Sequence, residues 1–214
     1  MALTPMGIFG GSFDPVHNGH LRWALEVYQR LNIAPIKFIP ARQQVLKADL
    51  HTDAKHRLQM LQIALQDMPM FEVDKRELTS SDPSYTINSL TSLRAEYPDI
   101  PLCLIIGSDS FAQFARWHRY TEILKLAHLI VIKRKNTPEH VSWYETLSVK
   151  VTQDAFALTA IQGGNIYFLD LPMLDISATA IREQMELGLS PKYLVPEPVL
   201  AYMQQHHLYT DRRA

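Results

Sequence analysis

Near the start of the chain, glycines and histidines that could bind a phosphate group stand within one short segment. The segment reads Gly10-Gly11-Ser12-Phe13-Asp14-Pro15-Val16-His17-Asn18-Gly19-His20. Tandem glycines let the backbone turn sharply and let a ligand approach it closely. His17 and His20 are three positions apart at a predicted helix start, so both imidazoles can face one bound group. Their N–H groups can donate hydrogen bonds to phosphate oxygens. A protonated imidazole also carries a positive charge, which would stabilise negative charge that develops on a phosphate group during a reaction.

From the residues alone, two other interpretations of the histidine pair stay open. Histidines at this spacing could ligate zinc, although no cysteine or further histidine-rich motif lies nearby, or they could be solvated surface residues. The helix that follows offers backbone N–H groups and the positive end of its dipole, which favour an anion. The segment is neither a Gly-x-Gly-x-x-Gly fingerprint nor a Walker pattern, which disfavours an NAD-dependent oxidoreductase.

A second segment near the C-terminus combines hydroxyl groups with an arginine. It reads Ile176-Ser177-Ala178-Thr179-Ala180-Ile181-Arg182 and follows a predicted strand. Ser177 is a favoured N-cap residue, which predicts that a helix begins there. Arg182 lies about one turn into that helix, where its forked guanidinium can reach back toward a phosphate. The alternative is an ordinary capped helix with an arginine on its surface.

Strands and helices in alternation must position these two segments. Short apolar runs with little polar alternation are typical of strands that are covered on both faces. They lie at residues 6–10, 36–40, 102–106, 129–132 and 165–169, with a weaker run near 71–73. Apolar stripes at helical spacing lie between the runs. They comprise Leu21, Ala24, Leu25 and Tyr28; Leu58, Leu61 and Leu65 after a potential cap at Asp53; and Ile87, Leu90, Leu93 and Tyr97.

This alternation predicts a doubly wound, mostly parallel α/β sheet with right-handed crossovers. Ligands of such sheets bind at the carboxyl ends of the strands, near the point where the strand order reverses. Residues 138–162 show the least pattern and are expected to be partly helical at best. The sequence shows no internal repeat and no long linker. We therefore expect one domain over residues 1–214, with a C-terminal helical part at about 177–208 packed on it.

Composition narrows the class of protein further. Of the 214 residues, 47% are hydrophobic and 20% are charged, which suits a globular chain with a full core. A formal net charge of −1 does not favour a general binder of nucleic acid or membrane surfaces. The single cysteine, Cys103, lies in an apolar run and indicates a reducing compartment. We expect a cytoplasmic protein with no signal peptide, no transmembrane helix and no nucleic-acid or membrane partner.

Taken together, the two segments resemble the signature of the nucleotidyltransferase superfamily with the His-x-Gly-His motif. More closely, the chain resembles the bacterial nicotinate-nucleotide adenylyltransferases over residues 7–209. Further matching segments are Pro83-Ser84-Tyr85-Thr86, Ile106-Gly107-Ser108-Asp109 with Trp117, and Leu194-Val195-Pro196 with His207-Leu208-Tyr209. The resemblance implies a Rossmann-like nucleotidyltransferase fold. The related phosphopantetheine adenylyltransferases share the first motif, but they are shorter and are not expected to contain the segment at 83–86 or Trp117.

The resemblance implies transfer of AMP from ATP to nicotinate mononucleotide, which gives nicotinate adenine dinucleotide and pyrophosphate in NAD biosynthesis. Mg²⁺ would arrive on the ATP phosphates rather than in a metal site of the protein, because Mg²⁺ keeps waters and takes few protein ligands. Two alternatives remain. One is an adenylyltransferase that prefers nicotinamide mononucleotide or phosphopantetheine, and the other is a non-catalytic ATP-binding sensor on the same fold.

The resemblance also assigns roles to individual residues. The catalytic residues would be His17, His20 and Arg182, with His20 stabilising the transition state. The ATP site would comprise Gly10, Gly11, Ser12, Phe13, His17, His20, Gly107, Asp109, Ile176, Ser177, Thr179 and Arg182. The mononucleotide site would comprise Ser12, Lys47, Tyr85, Thr86, Trp117 and Arg134.

Elementary chemistry agrees with several of these roles. The carboxylate of Asp109 can accept two hydrogen bonds from ribose hydroxyls, although it could equally cap the next helix. The helix that Pro83-Ser84 is expected to open would offer the N–H groups of Tyr85 and Thr86 to a nicotinate carboxylate. Trp117 could stack on the pyridine ring, or it could be a core aromatic.

One segment departs from the family pattern. After the second strand the family commonly has asparagines, paired prolines and a basic residue, whereas this chain reads Ala41-Arg42-Gln43-Gln44-Val45-Leu46-Lys47. Without the prolines the loop is less rigid. Lys47 would keep the cationic role toward the mononucleotide. Arg134, between Lys133 and Lys135, would either bind phosphate or belong to a solvated basic turn.

Overall fold

Strands and helices alternate along the described chain. The computed structural model describes residues 3–43, 50–133, 142–145, 147, 149–171 and 174–210. The strands in these ranges are β1 (Met6–Gly11), β2 (Ile36–Pro40), β3 (Phe71–Val73), β4 (Leu102–Gly107), β5 (His128–Ile132), β6 (Lys150–Thr152) and β7 (Asn165–Leu169). The helices are α1 (Asn18–Leu31), α2 (Ala54–Leu65), α3 (Arg76–Thr79), α4 (Thr86–Glu96), α5 (Ser108–Ala112), α6 (Tyr120–Leu126), α7 (Ala157–Ala160), α8 (Ala178–Glu186) and α9 (Glu197–Gln205). Within the described ranges, no helix is long and apolar enough to cross a membrane.

The strands form one parallel sheet whose order reverses near its centre. Within the described residues the order is β3-β2-β1-β4-β5-β7-β6, and each neighbouring pair is parallel. The chain extends the sheet from β1 through β2 to β3 and then crosses to the other side of β1 to form β4. The predicted doubly wound sheet is confirmed. The reversal lies between β1 and β4, so ligands are expected near the ends of these two strands, Gly11 and Gly107.

Helices cover both faces of the sheet, which is why the strand sequences are apolar runs. Neighbouring residues of a strand point to opposite faces, so Phe9 packs in the cluster of α1, α2, α8 and α9, whereas Ile8 packs in the cluster of α4 and α6. Cys103 of β4 is fully buried, and burial raises the pKa of its thiol. A buried thiol with a raised pKa is a poor nucleophile, so Cys103 belongs to the core rather than to a reactive site.

The helix faces that are buried match the predicted stripes in α4 but only partly in α1 and α2. In α4 the residues Ile87, Leu90 and Leu93 are buried as predicted. In α1 the buried apolar residues are Trp23, Ala24, Val27 and Leu31, while Leu21, Leu25 and Tyr28 are only partly buried. In α2 the buried residues are Arg57, Met60, Leu61 and Leu65, while Leu58 is only partly buried. Periodicity predicts a helix, whereas the rotation of the helix depends on what packs against it.

One helix boundary and one strand differ from the sequence-based predictions. The helix expected to open at Pro83-Ser84 begins at Thr86 with Tyr85 as its N-cap, because the Tyr85 N–H donates to the Pro83 carbonyl at 2.7 Å in a turn that precedes the helix. Strand β6 lies in the stretch expected to be partly helical at best. It has three residues and forms the edge of the sheet, so it is too short to show a recognisable pattern.

Buried His128 predicts a loss of stability in mild acid. Its Nδ1 accepts from the Asn165 N–H at 3.1 Å, and its Nε2 lies 2.9 Å from the Ile161 carbonyl. Burial lowers the pKa of His128, so the unfolded chain binds a proton near pH 6.5 that the folded chain does not bind. The free energy of unfolding is therefore expected to fall as the pH drops below about 6.5.

Denaturant unfolding of the wild type and of His128→Gln at pH 7.5 and 5.5 measures this effect. The variant should lose less stability between the two pH values than the wild type, because glutamine does not titrate. His206→Gln, which replaces an exposed histidine, is the control and should keep the wild-type difference. An equal pH dependence in wild type and His128→Gln would contradict the prediction.

Candidate active site

The loop between β1 and α1 leaves open space above the end of the strand. Gly10 and Gly11 are the last residues of β1, and a Cβ built at Gly10 would meet no atom within 4 Å. A Cβ at Gly11 would instead lie 3.2 Å from the ring of Phe13. Phe13 has a left-handed backbone with φ of 48° and is buried. A ligand can therefore approach the backbone at Gly10 and the half-buried Ser12, whereas Gly11 and Phe13 shape the turn.

The two histidines of the first motif lie together, as predicted. His17 is the N-cap of α1, and its ring stacks on that of His20 with centroids 3.7 Å apart and planes at 23°. The backbone N–H of His17 donates to Nδ1 of His20 at 3.3 Å. Neutral His20 therefore carries its proton on Nε2, the nitrogen that can donate to a phosphate oxygen.

Gly19 connects the first motif to the segment before α8. A Cβ at Gly19 would lie 3.0 Å from Nδ1 of His17 and 3.6 Å from Cβ of Ile176. A Cβ at this position would therefore require the His17 ring to shift, whereas its contact with Ile176 would be an ordinary van der Waals contact. A shallow pocket opens at this junction. The residues that line it come from α1 with its N-cap and from the segment that connects β7 to α8. They are His17, Gly19, His20, Trp23, Leu174 and Ile176.

Arg182 of α8 joins the two motifs directly. Its guanidinium donates to the main-chain carbonyl of Asp14 at 2.7 Å and to Oγ1 of Thr179 at 3.3 Å. Ser177 is the N-cap of α8, and its hydroxyl accepts from the Ala180 N–H at 3.1 Å, as predicted. Residues 168 positions apart in sequence thus meet at one site.

The end of β4 borders the same site through Trp23. Gly107 is the N-cap of α5, and Asp109 lies in the first turn of that helix. A Cβ at Gly107 would lie 2.5 Å from Oδ1 of Asp109 and 3.1 Å from the Trp23 ring. Only glycine fits there without a shift of the neighbouring side chains. Because Gly107 holds the cap position, the alternative that Asp109 caps the helix is wrong.

Three of the residues predicted to contact the mononucleotide, Tyr85, Thr86 and Trp117, lie on the side of the sheet that α4 covers. Tyr85 caps α4 and Thr86 is its first residue. The Tyr85 ring contacts the ring of His118, with centroids 4.5 Å apart, and the neighbouring Trp117 packs on Phe114 at 5.1 Å. Both Tyr85 and Trp117 are half buried. His118 was not predicted as a site residue, and it adjoins this region through its ring contact with Tyr85.

Backbone contacts connect this region to the glycine loop. The Ala41 N–H donates to the Gly11 carbonyl at 2.8 Å, and the Arg42 N–H donates to Oγ of Ser84 at 3.0 Å. The first residues of the loop that lacks the family's prolines therefore lie between the end of β1 and the start of α4. The predicted contacts of Lys47 and Arg134 lie outside the described residues.

A buried polar network under the glycine loop was not predicted from the sequence. Asp14 is 2% exposed, and its carboxylate accepts from the His51 N–H at 2.8 Å and from the Tyr209 hydroxyl at 2.6 Å. Arg57 is 0% exposed and donates to the Ser12 carbonyl at 2.8 Å. Burial lowers the pKa of the Arg57 guanidinium, and the nearby carboxylate of Asp14 opposes that shift. The network thus fixes the backbone of the turn at Ser12 and Asp14.

A signal for Arg57 exists in the sequence. Arg57, Leu61 and Leu65 repeat every four residues, which places the arginine on the buried stripe of α2. A charged residue in such a stripe needs buried partners. The signal indicates burial alone, because the partners come from distant parts of the chain.

The zinc interpretation of the histidine pair requires further ligands near His17 and His20. In the part of the chain that the structure describes, no group of three or more His, Cys, Asp or Glu side chains could hold a metal ion. Zinc sites use three or four protein ligands, and the stacked pair of His17 and His20 supplies two at most.

The chain matches known proteins along nearly its whole length. The model of the cytidylyltransferase-like family matches residues 8–184. The probable nicotinate-nucleotide adenylyltransferase of Methylococcus capsulatus is 41% identical over 95% of this chain and 99% of that protein. The probable nicotinate-nucleotide adenylyltransferase of Aeromonas salmonicida is 40% identical over 98% of this chain and 99% of that protein.

Solved structures share the fold. Plasmodium falciparum nicotinic acid mononucleotide adenylyltransferase complexed with NaAD aligns with a TM-score of 0.74 over 96% of this chain and 97% of that one. Their sequences are 19% identical, so this likeness supports the fold alone. From the family match and the two relatives near 40% identity, the chain belongs to the cytidylyltransferase-like family and, within it, to the nicotinate-nucleotide adenylyltransferases.

Proposed function

We propose that this chain transfers AMP from MgATP to nicotinate mononucleotide in the cytoplasm, giving nicotinate adenine dinucleotide and pyrophosphate. The observation that carries the proposal is the hydrogen bond from Arg182 to the Asp14 carbonyl at 2.7 Å. It supports a single phosphate site that combines the stacked histidines with the N-terminus of α8. The full-length relatives whose names include this activity support the choice of acceptor.

The proposed reaction is a direct in-line transfer. An oxygen of the 5′-phosphate of nicotinate mononucleotide attacks the α-phosphorus of ATP, and the bond from that phosphorus to the oxygen bridging to the β-phosphate breaks. Pyrophosphate leaves with the electron pair of that bond. The step needs no nucleophile from the protein, so the residues act by positioning the phosphates and stabilising charge. His20 would donate from Nε2 to the α-phosphate as charge builds up on its oxygens.

The triphosphate would lie between the two motifs. The β- and γ-phosphates would bind to Arg182, Ser177 and Thr179 at the N-terminus of α8, where the backbone N–H groups and the helix dipole favour an anion. Mg²⁺ would enter as part of the MgATP substrate and neutralise phosphate charge. The ribose would contact Gly107 and Asp109, since these residues lie at the end of β4 next to the reversal of strand order.

The mononucleotide would bind on the α4 side of the strand ends. At the N-terminus of α4, the Thr86 N–H would bind the nicotinate carboxylate with Tyr85 beside it, and the half-buried Trp117 would stack on the pyridine ring. The expected donation from the Tyr85 N–H is replaced by its bond to the Pro83 carbonyl. Ser12, Lys47 and Arg134 would complete this site toward the phosphate. A carboxylate at a helix N-terminus is more favourable than a neutral amide, so nicotinate should be preferred over nicotinamide.

Pyrophosphate release from MgATP, measured with each of three acceptors in turn, tests the proposal. Nicotinate mononucleotide should give the highest kcat/KM. Faster release with nicotinamide mononucleotide or phosphopantetheine would replace the proposed acceptor by that one. Binding of ATP without pyrophosphate release from any acceptor would instead indicate a nucleotide sensor.

Arg182→Lys should lower kcat/KM for ATP by about tenfold. Lysine keeps the charge but lacks the planar guanidinium with its several N–H donors. One side chain could then no longer hold both the Asp14 carbonyl and a phosphate in a fixed geometry. Steady-state kinetics with varied MgATP measures the effect. Arg30→Lys is the control, because Arg30 is half exposed, pairs with Glu26 and lies at the end of α1 away from the site. Equal kinetic constants in the two variants would show that the charge alone matters at position 182.

A further inference from the structure

The C-terminal segment reaches the loop that precedes the stacked histidines. The hydroxyl of Tyr209 donates to Oδ1 of Asp14 at 2.6 Å across 195 positions of sequence. The other carboxylate oxygen of Asp14 accepts from the His51 N–H at 2.8 Å. Because Asp14 is 2% exposed, water does not readily replace either donor. The bond to Tyr209 is a charge-assisted hydrogen bond in a buried site, a strong type of contact.

The tyrosine is itself held in place. After α9 the chain turns back, and the Leu208 N–H donates to the Met203 carbonyl at 2.9 Å. Tyr209 follows in a left-handed backbone conformation with φ of 58°. Burial, and after it the charge of Asp14, raises the pKa of Tyr209. The hydroxyl therefore stays protonated and donates throughout the neutral range.

The carboxylate that Tyr209 contacts belongs to a turn on which several distant segments converge. Arg57 donates to the Ser12 carbonyl at 2.8 Å, and Arg182 donates to the Asp14 carbonyl at 2.7 Å. Three residues after Asp14 the chain reaches His17, whose ring stacks on His20. A shift of this turn would therefore move both imidazoles relative to Arg182.

We propose that Tyr209 is a positioning residue for adenylyl transfer, which acts by holding Asp14 and so fixing the histidine pair relative to Arg182. This inference rests on the proposed function. Small displacements of groups that act in a transition state reduce turnover more than they reduce binding. The effect of removing the hydroxyl should accordingly appear in kcat rather than in KM.

Tyr209→Phe removes the hydroxyl and keeps the ring. We expect kcat to fall by about tenfold with little change in the KM for ATP, since misplacement by 1 Å can cost about 100-fold. Tyr202→Phe is the matched control, because its hydroxyl lies 2.9 Å from Nδ1 of His56 between α9 and α2 and does not contact the loop. Equal losses of kcat in the two variants would overturn the proposal in favour of a general structural role.

A double-mutant cycle with Asp14→Asn tests whether the effect passes through this contact. If it does, Tyr209→Phe should lower kcat far less in the Asp14→Asn background than in the wild type. Independent, additive effects on kcat would contradict the proposal.

Hydrogen exchange of the peptide that spans residues 12–20 gives a readout that does not depend on catalysis. Its amides should exchange faster in Tyr209→Phe than in the wild type and stay unchanged in Tyr202→Phe. An unchanged rate of amide exchange in Tyr209→Phe would overturn the positioning role. This readout is independent of whether the wild type releases pyrophosphate. Absence of pyrophosphate release by the wild type would reject the proposed function separately.

Discussion

Replacing His20 with alanine should lower the turnover number of adenylyl transfer by about 100-fold or more, while the dissociation constant of ATP changes little. A factor of 100 corresponds to about 2.7 kcal/mol of transition-state stabilisation, which is typical of one lost hydrogen bond to a developing charge. Nδ1 of His20 accepts a hydrogen bond from the His17 N–H, so the neutral ring carries its proton on Nε2. The side chain can therefore donate a hydrogen bond without first being protonated. Single-turnover kinetics, with ATP binding measured separately by calorimetry, distinguishes the two effects.

His20→Gln is the informative companion variant. The glutamine amide nitrogen can take a position close to that of Nε2 and also donates, so part of the lost turnover should return. The backbone N–H of His17 loses its acceptor in His20→Ala, and His20→Gln shares that loss. Unchanged turnover in His20→Ala would remove His20 from the mechanism. Equal activity of the alanine and glutamine variants would show that donation from this position does not matter.

The second large effect is expected on stability. Arg57→Met should lower the free energy of unfolding by about 3 kcal/mol. The guanidinium donates to the carbonyls of Ser12, Thr52 and Arg42 at 2.8, 3.1 and 3.4 Å, and methionine fills similar volume without any donor. These carbonyls and the buried carboxylate of Asp14 would then lose their compensating positive charge. Equilibrium unfolding in denaturant at pH 7.5 measures the loss.

Arg30→Met provides the comparison for that measurement. Arg30 is about half exposed and pairs with Glu26, which also pairs with Arg22. Glu26 is itself buried but keeps its ion pair with Arg22, so removal of the half-exposed Arg30 should cost about 1 kcal/mol. If Arg57→Met were no more destabilising than Arg30→Met, the buried hydrogen bonds of Arg57 would contribute no net stability.

Short-range patterns were sufficient for most of the strands and for the longer helices. Five apolar runs and one weaker run correspond to strands of the sheet, since a strand covered on both faces needs apolar side chains at successive positions. Ser177 caps α8 as predicted, because capping depends on residues within one turn. By resemblance, the motifs at residues 10–20 and 176–182 predict a shared phosphate site. The structure brings the two motifs into contact through Arg182 and Asp14, and the phosphate-binding roles stay predictions.

The tertiary structure decided everything that depends on which surfaces meet. It set the rotation of α1, which buries Trp23 instead of Leu21, and it added the edge strand β6 through pairing with β7. It also assembled Asp14, Arg57 and Tyr209 into one network around a buried carboxylate, although no local pattern shows that these three residues meet. Burial of a polar group costs free energy unless a hydrogen-bond partner is present, and here the partners are up to 195 positions away. The chain alone therefore determined the chemistry available to this protein, and packing determined which groups hold that chemistry in place.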